Sequence, residues 1–339
     1  MILPNHADLA RLRPKDLMLS VRVTAPSALA DRVLRELGDD ATVANISVVR
    51  GAAADGAGDL ILFDMARENA NNIDRMLRHL RVPEHGSVVI SEPLVVLSAA
   101  ADRAERAAPG HPGDGVVWAQ LADRSREDAR PSWAFFVFLV LAALIAGVGR
   151  YLDQPILIIG AMVVGPEFAP IAAICFALAR RRSGVLGRAS VTLVSGFAVA
   201  AVISYLFWGA ANLLGVVDEV AATTGEQTEF IVAPDGWSLV IALLAGVAGV
   251  LSVTSSKSSA LVGVFISITT VPAVGTIGLT AAVGAWDETL ASLVQLGINV
   301  VGLVVAGTLT LVVQLHLGRT VGLRYTRARQ RRRARSRQD

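Results

Sequence analysis

The sequence predicts an α-helical polytopic membrane protein with six spans, arranged as two three-span copies of opposite orientation (a 3+3 inverted repeat). An N-terminal α+β domain of ferredoxin-like βαββαβ order precedes it. Three observations carry this expectation. Residues of the AVILMFWYC set make up 53% of the 339 residues and charged residues only 18%, with a mean hydropathy of +0.54, far from soluble averages. Charge is also uneven: residues 1–131 hold 19 acidic and 16 basic side chains, residues 132–339 hold 10 and 15. Finally, apolar windows of about 20 residues, the length that crosses a bilayer as a helix, recur after residue 131. A disordered chain, a disulfide scaffold and a wholly basic nucleic-acid binder are excluded by this composition.

The lone Cys175 can form no disulfide framework. The opening MILPNHADLARLRPK lacks the apolar stretch of a cleaved signal peptide, so the first span is expected to direct insertion. Residues 1–98 are expected to form the soluble domain. Residues 17–25 alternate like a strand, and Ser27 opens a helix through Leu29, Val33, Leu34 and Leu37 that ends at Gly38. Strands follow at 43–50 and 59–67, then a helix over 69–80 stopped by Pro83. A last strand is expected over 87–98, marked as a sheet edge by Pro93. No aromatic pair on these strands offers a base-stacking platform, so no nucleic acid is expected as partner. A regulatory or oligomerising role is the expectation. Residues 99–131 read as a linker, rich in Ala, Gly and Pro over 99–115, followed by a juxtamembrane amphipathic helix over 116–129 with Val117 and Leu121 inward.

The membrane domain is expected over 132–318, with spans near 132–149, 155–179, 189–214, 237–254, 259–283 and 289–317. Between spans two and three stands ARRRSGVLGR, between four and five SSKSS, and the basic tail 319–339 follows span six. The remaining long loops, VDEVAATTGEQTEF and WDET, are acidic. Basic residues collect on the cytoplasmic side, so both termini are expected there, in a bacterial inner membrane. Arg150 is the lone dissenter, with Asp153 beside it.

Matches at a slowly drifting offset suggest an internal duplication. Trp133 and Trp237 open spans one and four; Gly160 lies over Gly263, Pro170 over Pro272, and Thr192-Leu193-Val194 over Ser292-Leu293-Val294. An odd number of spans per copy makes the copies inverted, a plan shared by many secondary transporters. Each copy also interrupts its second span: Gly165, Pro166 and Pro170 flank Glu167 in one, and Thr269, Thr270 and Pro272 lie mid-span in the other. Proline removes a backbone donor and breaks the helix, and broken backbone at membrane depth must be buried in protein or line a cavity. Glu167 is the only acidic residue inside any expected span. A carboxylate there is costly unless paired, solvated or protonated, so it is a candidate ion- or substrate-binding group. It also suits the first turn of a new half-helix. On span six, Ser292, Gln295, Asn299 and Gly302 share one stripe; Gln295 and Asn299 either line the same cavity or bond neighbouring helices.

The chain has no Walker A loop, HExxH, GxSxG elbow or Cys/His cluster. No enzyme activity, cofactor or metal is therefore expected. The run IIGAM-x-x-x-P-x-x-x-P at 158–170 and the run SSALVG at 258–263 resemble a bacterial membrane family known as "domain of unknown function 389", over about residues 130–310. That family often carries two adjacent prolines where this chain has Val271-Pro272. The resemblance implies a multi-pass bacterial membrane protein and no activity. Two functions remain open on the residues. One is a secondary transporter or channel for an unknown small solute or ion, regulated by the soluble domain. The other is a non-transporting membrane scaffold or sensor. The small residues of the spans, AGVAG at 245–249 for example, favour close packing and a homo-oligomer in the lipid bilayer; a trimer is a guess at its stoichiometry.

Overall fold

The computed structural model describes residues 18–53, 58–108, 116–231, 236–254 and 269–335, without the side chains of Phe230 and of 318–335. The first half of the expected span five, with SSKSS and SSALVG, lies outside the described residues. Two compact units divide mainly between Leu121 and Ala122, with the residues from Leu317 on counted in the first.

In the first unit, strands β1 (Met18–Ala25), β2 (Val43–Val49), β3 (Asp59–Ala66) and β4 (Ser87–Ser91) form one antiparallel sheet in the order β2-β3-β1-β4. Period-two alternation puts Leu19, Val21, Val23, Ile61, Phe63 and Met65 on one buried face. Helix α1 (Ser27–Gly38) lays Ala30, Val33 and Leu37 on that face, and α2 (Ala70–His79) adds Ala70, Ile73 and Leu77. The helical and strand periods of the sequence thus meet in a single core. Arg81, at φ 60°, turns the chain into a short helix, α3 (Val82–His85), before β4. That strand is the sheet edge, as expected, but it ends at Ser91 instead of reaching residue 98, so Pro93 lies beyond it.

A second difference falls in the expected linker. Residues 99–107 form helix α4 (Ala99–Ala107), capped by Ser98 accepting from the Ala101 N–H. Ala101 and Ala104 bury against Met18, Ala44 and Ala66 on the opposite face of the sheet. Alanine-rich composition looks loop-like beside Gly and Pro, yet alanine is the strongest helix former, and its small side chain fits a close sheet contact. Helix α5 (Trp118–Asp128) then matches the expected amphipathic helix, with Val117 and Leu121 buried.

The second unit is helical: α6 (Trp133–Tyr151), α7 (Pro155–Val164), α8 (Phe168–Arg180), α9 (Ser183–Leu213), short α10 (Glu219–Thr223), α11 (Gly236–Thr254), α12 (Thr270–Ala282) and α13 (Trp286–Arg335). Among the described residues, four helices are long and apolar enough to cross a membrane: α6, α9, α11 and the Trp286–Leu317 part of α13. The α7–α8 pair, bent by 55°, makes up to five. The protein is therefore a multi-pass membrane protein with an N-terminal four-stranded α+β domain. Helix α13 carries on past the apolar part into the basic tail, whose Ala, Arg and Gln are strong helix formers.

Glycines set how closely the helices approach. A Cβ on Gly275 of α12 would stand 2.3 Å from the Ala143 carbonyl oxygen of α6, and one on Gly278 would stand 2.4 Å from Ser204 of α9. On α11, a Cβ on Gly246 would stand 2.7 Å from the Leu303 carbonyl oxygen of α13, and one on Gly249 would stand 2.3 Å from the Phe168 ring of α8. Lipid tails supply no hydrophobic drive between helices, so contact at small residues holds such a bundle.

Candidate functional site

The interrupted second span is two half-helices. Helix α7 stops at Val164; Gly165 is extended (φ −65°, ψ 128°), Pro166 has no N–H to continue the ladder, and Glu167 sits at the N-cap of α8. The sequence placed Glu167 inside the first turn; it stands one residue earlier. Helix α12 begins with Thr269 at its N-cap. Pro170 is the third residue of α8 and Pro272 the third of α12, both buried. Proline is harmless there, because first-turn N–H groups have no intrahelical partner.

These two helix starts meet. The Thr270 hydroxyl donates to Glu167 Oε1 at 2.8 Å, and the Asn299 amide of α13 donates to Thr269 Oγ1 at 2.6 Å. Glu167 is 3% exposed, Thr270 0% and Asn299 4%. Glu167 Oε2 has no hydrogen-bond partner among the described residues. It lies against Gly165, where a Cβ would come within 2.3 Å of it and 2.6 Å of Val271. Gly165 is thus needed for the carboxylate to fold back over the break. One turn from Asn299 on α13, Gln295 is buried, and its Oε1 and the Ser292 hydroxyl also lack partners among the described residues. The nine residues singled out from sequence therefore stand as follows. Gly165, Pro166, Glu167, Pro170, Thr269, Thr270, Pro272 and Asn299 gather around one junction of two helix starts. Gln295 is on the same face of α13, one turn from Asn299.

The two half-helices leave the junction in opposite directions. Helix α8 runs to Arg180 and passes directly into α9 at Ser183. Helix α12 runs the other way: its end residues Leu279, Ala282 and Val283 pack with Trp208 and Ala211 of α9 and with Val148 and Tyr151 of α6. Two positive helix-dipole ends therefore face one buried carboxylate from opposite sides.

One group was missed. Arg150, read as a loop residue, lies in the last turn of α6 and is 1% exposed. Its guanidinium donates to the Thr223 carbonyl (2.8 Å), the Gly225 carbonyl (3.2 Å) and Thr228 Oγ1 (2.8 Å). Asp153 takes the same loop from the other side, accepting from the Gln227 and Thr228 N–H groups and from the Thr228 hydroxyl. This clamp seats Ile231, fully buried, against Ile158 and Met162 of α7 and Ala273 of α12. The signal was available: Arg150 was the one basic residue among acidic loops.

Residues 162–305 match the family described as "Domain of unknown function (DUF389)". The uncharacterized protein MJ0678 of Methanocaldococcus jannaschii is 25% identical over 216 residues, 64% of this chain and 64% of that protein. The chain thus spans just under two thirds of that relative's length. No solved structure matches. The matched residues run from the end of α7 through the Glu167 junction to the middle of α13, so the chain carries a DUF389 domain and is a distant homologue of MJ0678.

Proposed function

We propose that this protein is a secondary transporter or channel for a small solute or ion, with Glu167 as its central binding group. The observation that carries the proposal is the junction itself. Two half-helices start at mid-bundle, face each other, and bury a carboxylate with one oxygen unpartnered. An unpartnered polar group inside a membrane bundle is costly, and where it persists a substrate or proton pathway is the default explanation. Discontinuous helices whose N-termini point at one site recur in secondary transporters.

The finer architecture belongs to the same proposal. Six spans form two inverted copies, with Glu167 and Thr269 at equivalent N-caps and Pro170 and Pro272 at equivalent third positions. The soluble unit is a ferredoxin-like domain, its β2-β3-β1-β4 order being the one that a βαββαβ chain takes. Arg180, Arg181 and Arg182 lie on the cytoplasmic side with both termini, and the 216–231 loop faces outward. The soluble domain regulates transport or holds a homo-oligomer together. With Glu167 buried, the structure corresponds in this reading to an occluded form.

The test is reconstitution of the full chain in liposomes loaded with a pH-reporting dye, with a potassium–valinomycin potential imposed. The expected result is proton flux through the wild type and its loss in Glu167→Gln. Unchanged flux and pH dependence in Glu167→Gln would remove Glu167 from the pathway. A protein that leaves every imposed gradient standing is the scaffold of the alternative reading.

A further inference from the structure

Helices α12 and α13 form an antiparallel pair, joined through residues 283–285. Two contacts fix how they lie against each other. Near the start of α12 the Asn299 amide meets Thr269 Oγ1 at 2.6 Å, and near its end the hydroxyls of Thr280 and Thr289 meet at 2.8 Å. Between those contacts the helical period puts Ala273 and Thr276 on the facing stripe of α12, and Leu296 and Ser292 on that of α13. Ala273 and Leu296 share one apolar cluster. Thr276 and Ser292 therefore stand at one level of the seam. Both are 0% exposed, and neither hydroxyl has a hydrogen-bond partner among the described residues. Gln295, a turn from Ser292 and also buried, has its Oε1 unpartnered too.

A polar line thus runs along the α12–α13 seam. It starts at Glu167 and Thr270, passes Thr269, Asn299 and Gln295, reaches Thr276 and Ser292, and ends at Thr280 and Thr289. A buried hydroxyl without a partner costs stability, and internal water is what satisfies such groups, one molecule bonding about three of them. Hydroxyls both donate and accept. A file of hydroxyls and water can therefore pass a proton along, each member accepting one on one side and releasing its own on the other.

We infer that this seam is the route by which protons reach Glu167 from the α12–α13 turn, with Thr276, Ser292 and Gln295 holding the water that carries them. This deepens the transport reading and rests on it. Charge balances: a proton enters at the turn, each water or hydroxyl takes one and gives one up, and the last protonates Glu167 at its unpartnered Oε2. Asp287 and Glu288, in the first turn of α13, stand at the entrance, where negative charge concentrates protons. An alkali cation would need several of these oxygens around it at once, whereas they are strung out along the two helices.

The segments 269–280 and 289–299 carry no charged side chain. The other titratable groups on the packed elements are Arg150, Tyr151 and Asp153 at the end of α6, Cys175 and Arg180 on α8, and Arg188 and Tyr205 on α9. Glu219 on α10, Glu229 beside Ile231 and His316 well beyond Asn299 complete them; α7, α11 and α12 carry none.

The experiment follows Glu167 itself, by infrared spectroscopy of the full chain in nanodiscs after a step from pH 8 to pH 5. The carboxyl band that Glu167→Gln lacks reports its protonation. In the double variant Thr276→Val, Ser292→Ala that band is expected to grow at least about tenfold more slowly than in the wild type, with Gln295→Leu in between. Proton flux into liposomes should fall in the same order. Ser204→Ala removes a buried hydroxyl of α9 that bonds the Gly275 carbonyl, away from the seam, and should leave both rates as they are. A band that grows as fast in the seam variants as in the wild type would overturn the inference. So would equal slowing in Ser204→Ala, or a Glu167 that does not titrate over the step. If the double variant does not fold, Thr276→Val alone, matched in shape, decides. Seam-dependent protonation without flux would refute transport but not the route. Flux that the seam variants leave unchanged would refute the route but not transport.

Discussion

Replacing Arg150 with leucine should release the 216–231 loop, and the size of the effect can be worked from its contacts. The change removes donors from the Thr223 and Gly225 carbonyls, while Thr228 Oγ1 keeps its bond to Asp153. An orphaned buried acceptor costs about 1–3 kcal/mol. Thr223 and Gly225 are half-buried, so water can reach them and the lower end applies to each. The net is about 2 kcal/mol in the loop-opening equilibrium, or roughly a 30-fold change. Hydrogen exchange on the full chain in nanodiscs reads this directly, because the Gln227 and Thr228 amides are held by Asp153 across the clamp. Their exchange should quicken about 30-fold. Arg150→Lys keeps the charge but loses the forked geometry and should fall between. Unchanged protection of Gln227 and Thr228 in a folded Arg150→Leu protein would refute the reasoning.

Three further outcomes are expected. Gly275→Ala puts a methyl 2.3 Å from the Ala143 carbonyl, where backbone cannot give way, so α12 must move off α6; overpacking of this kind costs about 1–3 kcal/mol and should lower the Tm in detergent. In the N-terminal α+β unit, Asn69→Leu removes donors from Asp40 Oδ2 and Thr42 Oγ1, both in a buried cluster. Loss of about 2–4 kcal/mol is expected, measured as faster hydrogen exchange across β1 and β3 in the full chain. The Gly51 N–H at 2.9 Å and the Arg50 guanidinium hold the Asp59 carboxyl below the usual carboxylate range. A depressed folded-state value gives stability that is present above the unfolded value of about 3.9 and lost as pH falls through the folded one. Asp59→Asn should therefore flatten the acid limb of the soluble unit's pH–stability curve, and an unchanged limb would count against it.

Much of the N-terminal α+β unit was legible because its two periods are local. Alternation in LMLSVRVTA and the helical spacing of Val33 and Leu37 need no knowledge of the rest of the chain. Helix α4 was misread because Ala, Gly and Pro together look like a linker, and only the sheet face that receives Ala101 and Ala104 shows why those alanines form a helix. The break at Gly165–Glu167 was legible because proline is unambiguous about backbone donors. Arg150 was misplaced because its acceptors are carbonyls some 75 residues away, and a carbonyl leaves no mark in a sequence.

The sequence by itself determined that this chain enters a membrane, roughly where its helices run and break, and that one carboxylate lies inside them. Composition, window length and proline chemistry are properties of each segment alone. Only the tertiary structure decided that the starts of α8 and α12 meet, that Thr270 and not a charged side chain meets Glu167, and that Arg150 holds the loop that seats Ile231. Those facts depend on which helices approach closely, and that was set by glycines whose worth in a sequence cannot be seen until a neighbouring backbone stands where their missing side chain would be.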